Sequence, residues 1–293
     1  MSELSRREFA AMALSATVVP FGRRGTSAST AVITVQDLLD RIKTQIGVEW
    51  STGSVDGVKV GAPSATVRGV ATTSLATLAV LQQAAKGGAN IVITGEPAFY
   101  AKGDARVPPA DPVLGAKTDF VTRHQLVIVR LIDHWRRRQP DPLTQGLARA
   151  LGWATRQSAA EPRHIDVPPT TLEALVNGVK KRLRSRGGIR VVGDPKMRVT
   201  RVGLLPGSTP LQATLTMMPA VDVIVAGEVR EWESVEYVRD KVAAGERKAL
   251  VLVGRIVSEE PGMKACADWL RTFVPEAPIR HLPAGDLYWR PAR

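Results

Sequence analysis

Ile91-Val92-Ile93-Thr94 is a short, buried strand pattern that delivers Gly95-Glu96-Pro97 into a turn. The pattern returns as Val221-Asp222-Val223-Ile224-Val225, which ends in Ala226-Gly227-Glu228. A constant offset of 132 residues (91 to 223) also matches Val70 with Val202, Asn90 with Asp222, Gly95 with Gly227, and Glu96 with Glu228. Self-similarity at a fixed spacing points to two related lobes, with chance likeness of two β-α-β units as the competing explanation. In each copy a strand comes first, Val67 to Ala71 or Val199 to Leu205, and a helix follows, from Ser74 to about Ala85 in the first copy and after the Gly207 turn in the second. A helix between two strands supplies a crossover, so the strands run parallel and the helix covers one face of the sheet.

Working outward, Thr34 and Asp37 have capping-box spacing before Val35, Leu38, Leu39, Ile42 and Ile46, which share one helical face. Pro112 to Arg123 reads as a helix and Leu126 to Ile132 as a central strand that emits Asp133-His134-Trp135. Asp141-Pro142 opens a helix that ends at Gly152. Residues 153–169 are polar and proline-rich, an interlobe linker between a first lobe at 32–152 and a second at 170–293. Thr170 and Glu173 then open a helix that carries Lys180-Lys181-Arg182 and Arg184 as a solvated face. Trp232 to about Ala243 reads as helix and Leu250 to Val253 as a buried strand. A loop from Gly254 to Glu260 leads to a helix opened by Pro261-Gly262. The fold class is α/β, two related lobes with mostly parallel mixed sheets and flanking helices.

The first 31 residues read as a leader. Ser5-Arg6-Arg7-Glu8-Phe9 precedes a short apolar run through Val19, and Ser29-Thr30-Ala31 offers a small-residue cleavage point. That run is well short of the roughly 20 apolar residues that span a bilayer as a helix. The paired arginines resemble a twin-arginine export signal, which implies use of that export machinery and a periplasmic or otherwise exported mature protein. Losing the leader lowers the formal charge from +12 to about +10. The excess is spread over several segments with no aromatic-interleaved basic module, so nucleic acid is an unlikely partner. With the single cysteine Cys266, no intramolecular disulfide forms; a core of this size needs none.

Open α/β sheets bind ligands beyond the carboxyl ends of their strands. Glu96, Asp133, His134, Glu228 and Glu259 all sit at such exits. Carboxylate oxygens and an imidazole nitrogen are ligands for a divalent ion, which can polarise a substrate or activate water. Any one of these residues alone is more simply a helix cap or a surface charge.

Several stretches in order resemble the NIF3-like, dinuclear-metal-centre family. They are Val55-Asp56-Gly57-Val58-Lys59-Val60-Gly61, Gly88 to Tyr100, Gly227-Glu228, and Gly254-Arg255-Ile256-Val257-Ser258-Glu259. The resemblance spans most of the chain after the leader and implies a NIF3-like fold, a ring-like homo-oligomer, often hexameric, and a divalent-metal centre facing an internal cavity. The family's paired histidines fall at Gly95 and Glu96, and the histidine of its later Gly-His element falls at Arg255. The matching glutamate is kept as Glu259, and the middle aspartate matches Asp133, with His134 beside it. One ion, Zn, Fe or Mn, held by Glu96, Asp133, His134 and Glu259 therefore fits better than two. Glu228 and Arg255 are further pocket residues. The resemblance also brings an association with GTP cyclohydrolase type 2 activity, for which this sequence supplies no substrate-specific constellation. Two functions stay open: a metal-dependent hydrolase of an unidentified small molecule, and a non-catalytic periplasmic binding or assembly protein in which Arg255 stands in for metal charge. Binding of polyanions rests on net charge alone.

Overall fold

Four strands of the structure are buried along their whole length, and that burial dictates the layers. The computed structural model describes residues 32–101, 111–184 and 188–288; the stretch read as a leader lies outside the described residues. In chain order the elements of the first half are α1 (Val35–Gln45), β1 (Gly57–Val60), β2 (Val70–Thr73), α2 (Leu78–Lys86), β3 (Ile91–Thr94), α3 (Pro112–Arg123), β4 (Val127–Arg130), α4 (Asp133–Arg137) and α5 (Pro142–Ala150). The second half adds β5 (His164–Thr171), α6 (Leu172–Arg182), β6 (Arg190–Val192), β7 (Arg198–Ser208), α7 (Leu211–Met217), β8 (Val223–Glu228), α8 (Glu236–Ala243), β9 (Ala249–Leu252), α9 (Arg255–Leu270) and β10 (Ile279–His281).

Two five-stranded sheets result, ordered β1-β4-β3-β2-β10 and β5-β7-β8-β9-β6. Their centres are parallel, and β1, β5 and β6 are antiparallel edges. The mixed α/β architecture expected from the repeated pattern is the one observed. Alternation sends Val70, Ile91, Ile93, Val127 and Val129 to one face of the first sheet, against α1 and the far end of α9. Ala71, Val92 and Ile128 meet α2 and α3 on the other. In the second sheet Val202, Leu204, Val223, Val225 and Val251 pack under α5 and α6, and Ile224, Ala226 and Leu250 under α7 and α8.

The 132-residue offset survives in three dimensions. Val70 pairs with Ile91 in one ladder and Val202 with Val223 in the other. The Asn90 side-chain oxygen accepts from the Arg68 amide, as the Asp222 carboxylate does from Thr200. Ladder pairs Ile91–Val127 and Val223–Ala249 extend the correspondence, so that Asp133 and Arg255 hold equivalent places at the start of α4 and α9.

Several local expectations shift. Residues 153–169, read as a linker, contain a turn at Ala154–Arg156 and the first part of β5, whose ladder to β7 makes it an edge of the second sheet. The lobes also exchange elements: α5 joins the second core and β10 closes the first sheet. Thr171, not Thr170, caps α6, because its hydroxyl reaches the Ala174 amide. α2 begins at Leu78 behind the Thr77 cap rather than at Ser74. Helix α9 begins at Arg255, immediately after Gly254 at φ +96°, and runs through Pro261 instead of starting there. Proline usually ends or kinks a helix by removing an amide, which made the later start the natural reading. Among the described residues no helix is long and apolar enough to cross a membrane.

Helices α5 and α9 cross at a glycine contact. A Cβ on Gly146 would lie 2.5 Å from the Gly262 nitrogen and 2.6 Å from the Pro261 carbonyl carbon. Backbone cannot yield as a side-chain tip can, so Gly146→Ala should destabilise the protein by about 1–3 kcal/mol as overpacking. Gly178→Ala, on an exposed part of α6 with no neighbour within 4 Å, should instead gain about 0.5–1 kcal/mol from helix propensity. Thermal or urea unfolding of both variants checks the contrast; equal effects would refute the close crossing.

Candidate functional site

The site forms where the first turn of α9 meets the ends of strands from both sheets. Beyond β3 the chain turns sharply, with Gly95 N–H donating to Thr73 O and Glu96 N–H to Ser74 O, while the Thr94 hydroxyl donates to Glu96 O. This fixes the Glu96 backbone and leaves its side chain only 9% exposed. From the other sheet, Gly254 starts α9 so that Arg255 and Glu259 are one turn apart on it. Arg255 Nη2 lies 2.5 Å from Glu96 Oε1. Glu259 is 1% exposed.

Two glycines admit this turn. A Cβ on Gly207, at φ +83°, would collide with Glu259 Oε1 and lie 2.9 Å from Arg136 Nη1. A Cβ on Gly227 would collide with the Ser258 hydroxyl and sit 2.5 Å from Gly207 O. Ser258 accepts from the Gly207 amide at 2.9 Å and donates to Arg255 O at 2.6 Å, which ties the helix start to the β7 turn.

Burial, and after it the charge of Glu96, push the Glu259 carboxyl up to about 8, against the pull of Arg255 and Arg136. Among the described residues, Glu259 Oε2 and Arg255 Nε are buried without a hydrogen-bond partner. A neutral carboxyl in so dry a place costs far less than a carboxylate. Cys266, deeper in α9, is fully buried, and burial pushes its thiol far up, which removes it from nucleophilic chemistry.

The six residues singled out in the sequence do not converge. Glu96, Glu259 and Arg255 come together. Asp133 is exposed and accepts from the Ser54 hydroxyl and the Val55 amide. His134 is fully buried, but both ring nitrogens are engaged: Nδ1 is 2.7 Å from Asp56 Oδ2, and Nε2 accepts from the Ser51 amide at 2.8 Å. Its ring stacks on Trp50 at 3.9 Å between centroids. Its ring is thus turned into the 50–56 segment and is not offered to a metal. Glu228 is exposed at the end of β8.

Two residues went unrecognised. Asp56 accepts from the Ile132, Asp133 and His134 amides, and so caps α4 from 76 to 78 residues away; no local spacing reveals a cap so distant. Arg136, on α4, reaches across to Pro206 O at 3.1 Å. Its i+3 spacing from Asp133 was the available signal.

The donor set does not suit a resident divalent metal. A guanidinium has no lone pair to give and stays charged, and here it is bonded to one of the two buried carboxylates. Among the described residues no group of three or more His, Cys, Asp or Glu side chains is arranged to hold a metal ion.

Residues 144–282 match the family model described as Duf34/NIF3 (NGG1p interacting factor 3). That stretch is just under half of the chain, and over it the sequence is similar to the NIF3 family. Solved structures with this fold include the hypothetical protein SA1388 of Staphylococcus aureus, 17% identical with a TM-score of 0.67, covering 89% of this chain and 100% of that one. A Bacillus cereus protein related to NIF3 is 13% identical with a TM-score of 0.69, covering 89% and 100%. TTHA1606 of Thermus thermophilus is 16% identical with a TM-score of 0.65, covering 87% and 100%. At such identities the likeness establishes the NIF3 fold across the described chain and nothing about its chemistry. No curated protein matches.

The raised Glu259 carboxyl has a pH signature. Between its ordinary value of 4.5 and about 8 the folded protein keeps a proton that the unfolded chain has lost. Stability from this group is therefore complete below that window and declines as pH rises through it, by at most about 1.4 kcal/mol per pH unit for one proton. Chemical denaturation from pH 4.5 to 9 should show a decline in the native protein that Glu259→Gln lacks. Parallel profiles for the two proteins would rule out a neutral Glu259.

Proposed function

We propose that this chain is a NIF3-family member and an exported binding protein that works without a resident divalent metal. Of the two functions left open by the sequence, this is the non-catalytic one. The observation that carries it is the 2.5 Å ion pair between Arg255 and Glu96. Arg255 stands where the family resemblance places a metal-ligating histidine, and Glu96 stands where it places one of the paired histidines. A guanidinium beside two carboxyl groups supplies fixed positive charge and directional donors without coordination chemistry. Burial and the neighbouring Glu96 favour the neutral form of Glu259, the acid that the family motif retains.

Metal analysis of protein purified without chelator, with addition of Mn, Fe(II) and Zn followed by desalting, tests this reading. Less than about one tenth of a divalent ion per chain is expected, with no metal-linked rise in Tm. A stoichiometric ion that disappears in Glu96→Gln and Glu259→Gln would overturn it and restore the metal-dependent hydrolase.

Export is the other part of the proposal, supported by Arg6-Arg7 and the short apolar run behind them. In a host with the twin-arginine pathway, cell fractionation should find the native chain processed outside the cytoplasm. The Arg6→Lys/Arg7→Lys double variant should stay inside as precursor. Identical fractionation of the two would count against the leader.

A further inference from the structure

Arg136 faces two ways: its Nη1 lies beside the Gly207 turn and Glu259, and its side chain also lines a cavity of about 500 Å3. That volume is in the range of small-molecule sites. The walls come from the α4–α5 junction, the segment before β5, and the β7–α7 turn at Pro206 to Pro210. This is the carboxyl end of a parallel strand, where open α/β sheets collect their ligands.

The charges in the wall are unequally satisfied. Arg163 is spent on Glu161, with Nε and Nη2 reaching its two carboxylate oxygens at 2.9 and 2.7 Å. That fork holds the Glu161 carboxyl down at about 2. Asp141 is turned to the start of α5, where it accepts from the Leu143 amide and the Thr144 hydroxyl. Among the described residues Arg136 has no carboxylate within 4.0 Å, and its one hydrogen bond is the Nη2 contact to Pro206 O. A half-buried guanidinium with unspent donors is the strongest unmet electrostatic demand in the wall. The hydroxyls of Ser208 and Thr209 border the same space, and Leu204, Pro210 and Ala213 give it an apolar side.

We propose that this cavity binds a small molecule bearing one terminal carboxylate or phosphate, with the anionic group on Arg136 and the remainder against the Pro210–Ala213 wall. The proposal rests on the binding-protein reading above and names its ligand class. Guanidinium recognises either oxyanion through paired hydrogen bonds, so the two are separated by experiment. The site is distinct in position from the Glu96–Arg255 pair but shares Arg136's surroundings with Glu259.

The test is thermal unfolding of the full chain, treated with chelator and desalted, titrated with sodium phosphate or sodium succinate. Sodium chloride at equal ionic strength is the reference. A saturable rise in Tm with phosphate assigns the phosphate class, one with succinate the carboxylate class, and either supports the site. Arg136→Gln should weaken half-saturation at least about tenfold, the loss expected for a charge-assisted hydrogen bond. Ala213→Phe, which fills the cavity without touching Arg136, should abolish the shift with an unchanged circular dichroism spectrum, and it carries the test if Arg136→Gln fails to fold. The proposal is overturned if chloride reproduces the shift, if neither oxyanion gives one, or if both variants titrate like the native protein. Metal content is a separate readout, so the ligand class and the metal-free reading can fail independently.

Discussion

Helix α9 packs on both sheets at once, and the position of its first turn controls the site. Its far half buries Met263, Cys266, Ala267 and Leu270 in the first core. Its start is clamped to the second sheet by Ser258 and the Gly207 amide. The helix also meets α5 at the Gly146–Gly262 contact, where neither partner has room for a side chain. With three sides fixed, the helix cannot rotate to carry Glu259 to solvent. Burial of an acid that would otherwise avoid the interior is thus imposed by packing, and its raised proton affinity follows from that burial. Stabilisation flows from apolar contacts to the carboxyl, since a buried acid itself costs stability.

The duplication explains the asymmetry of the charges. Asp133 and Arg255 occupy matching places at the starts of α4 and α9. An acid at a helix N-terminus is favoured by the backbone dipoles, and a base there is disfavoured, by roughly 0.3–1 kcal/mol in exposed settings. Asp133 is the favourable case. Arg255 is the adverse case, and it is held there by Glu96, reaching from the other sheet. The matching acid in the second copy, Glu228, is exposed and lacks any such role. One copy therefore lends a carboxylate to the other's helix, and the ion pair spans the two sheets rather than lying within either.

The parts of this arrangement legible in the sequence were those set by local periodicity. The buried strands at Ile91–Thr94 and around Leu250, the Thr34 capping box, and the helix starts at Pro112 and at Asp141–Pro142 all follow from neighbouring residues. β1, β6 and β10 were not legible: they are three or four residues long, and edge strands owe their existence to the partner beside them. In the site, the pairing of Glu96 with Glu259 was legible through the repeated turn and the family motif. The fate of His134 was not. Its spacing beside Asp133 suits a ligand, whereas its ring is oriented by Asp56, Ser51 and Trp50, none of which lies within 75 residues of it.

A guanidinium and a metal ion both answer the repulsion between buried acids, but they do so differently. A divalent ion would draw both Glu96 and Glu259 into their charged forms, because coordination rewards the carboxylate. A single guanidinium compensates one negative charge, so the second acid is left to keep its proton. The observed cluster has that stoichiometry: one ion pair at Glu96 and one carboxyl pushed up to about 8 at Glu259. Arg136 stays outside salt-bridge distance of both, because Pro206 O holds its Nη2 at the cavity wall. The Arg136 charge is thereby left at the cavity wall, apart from the ion pair of Glu96 with Arg255.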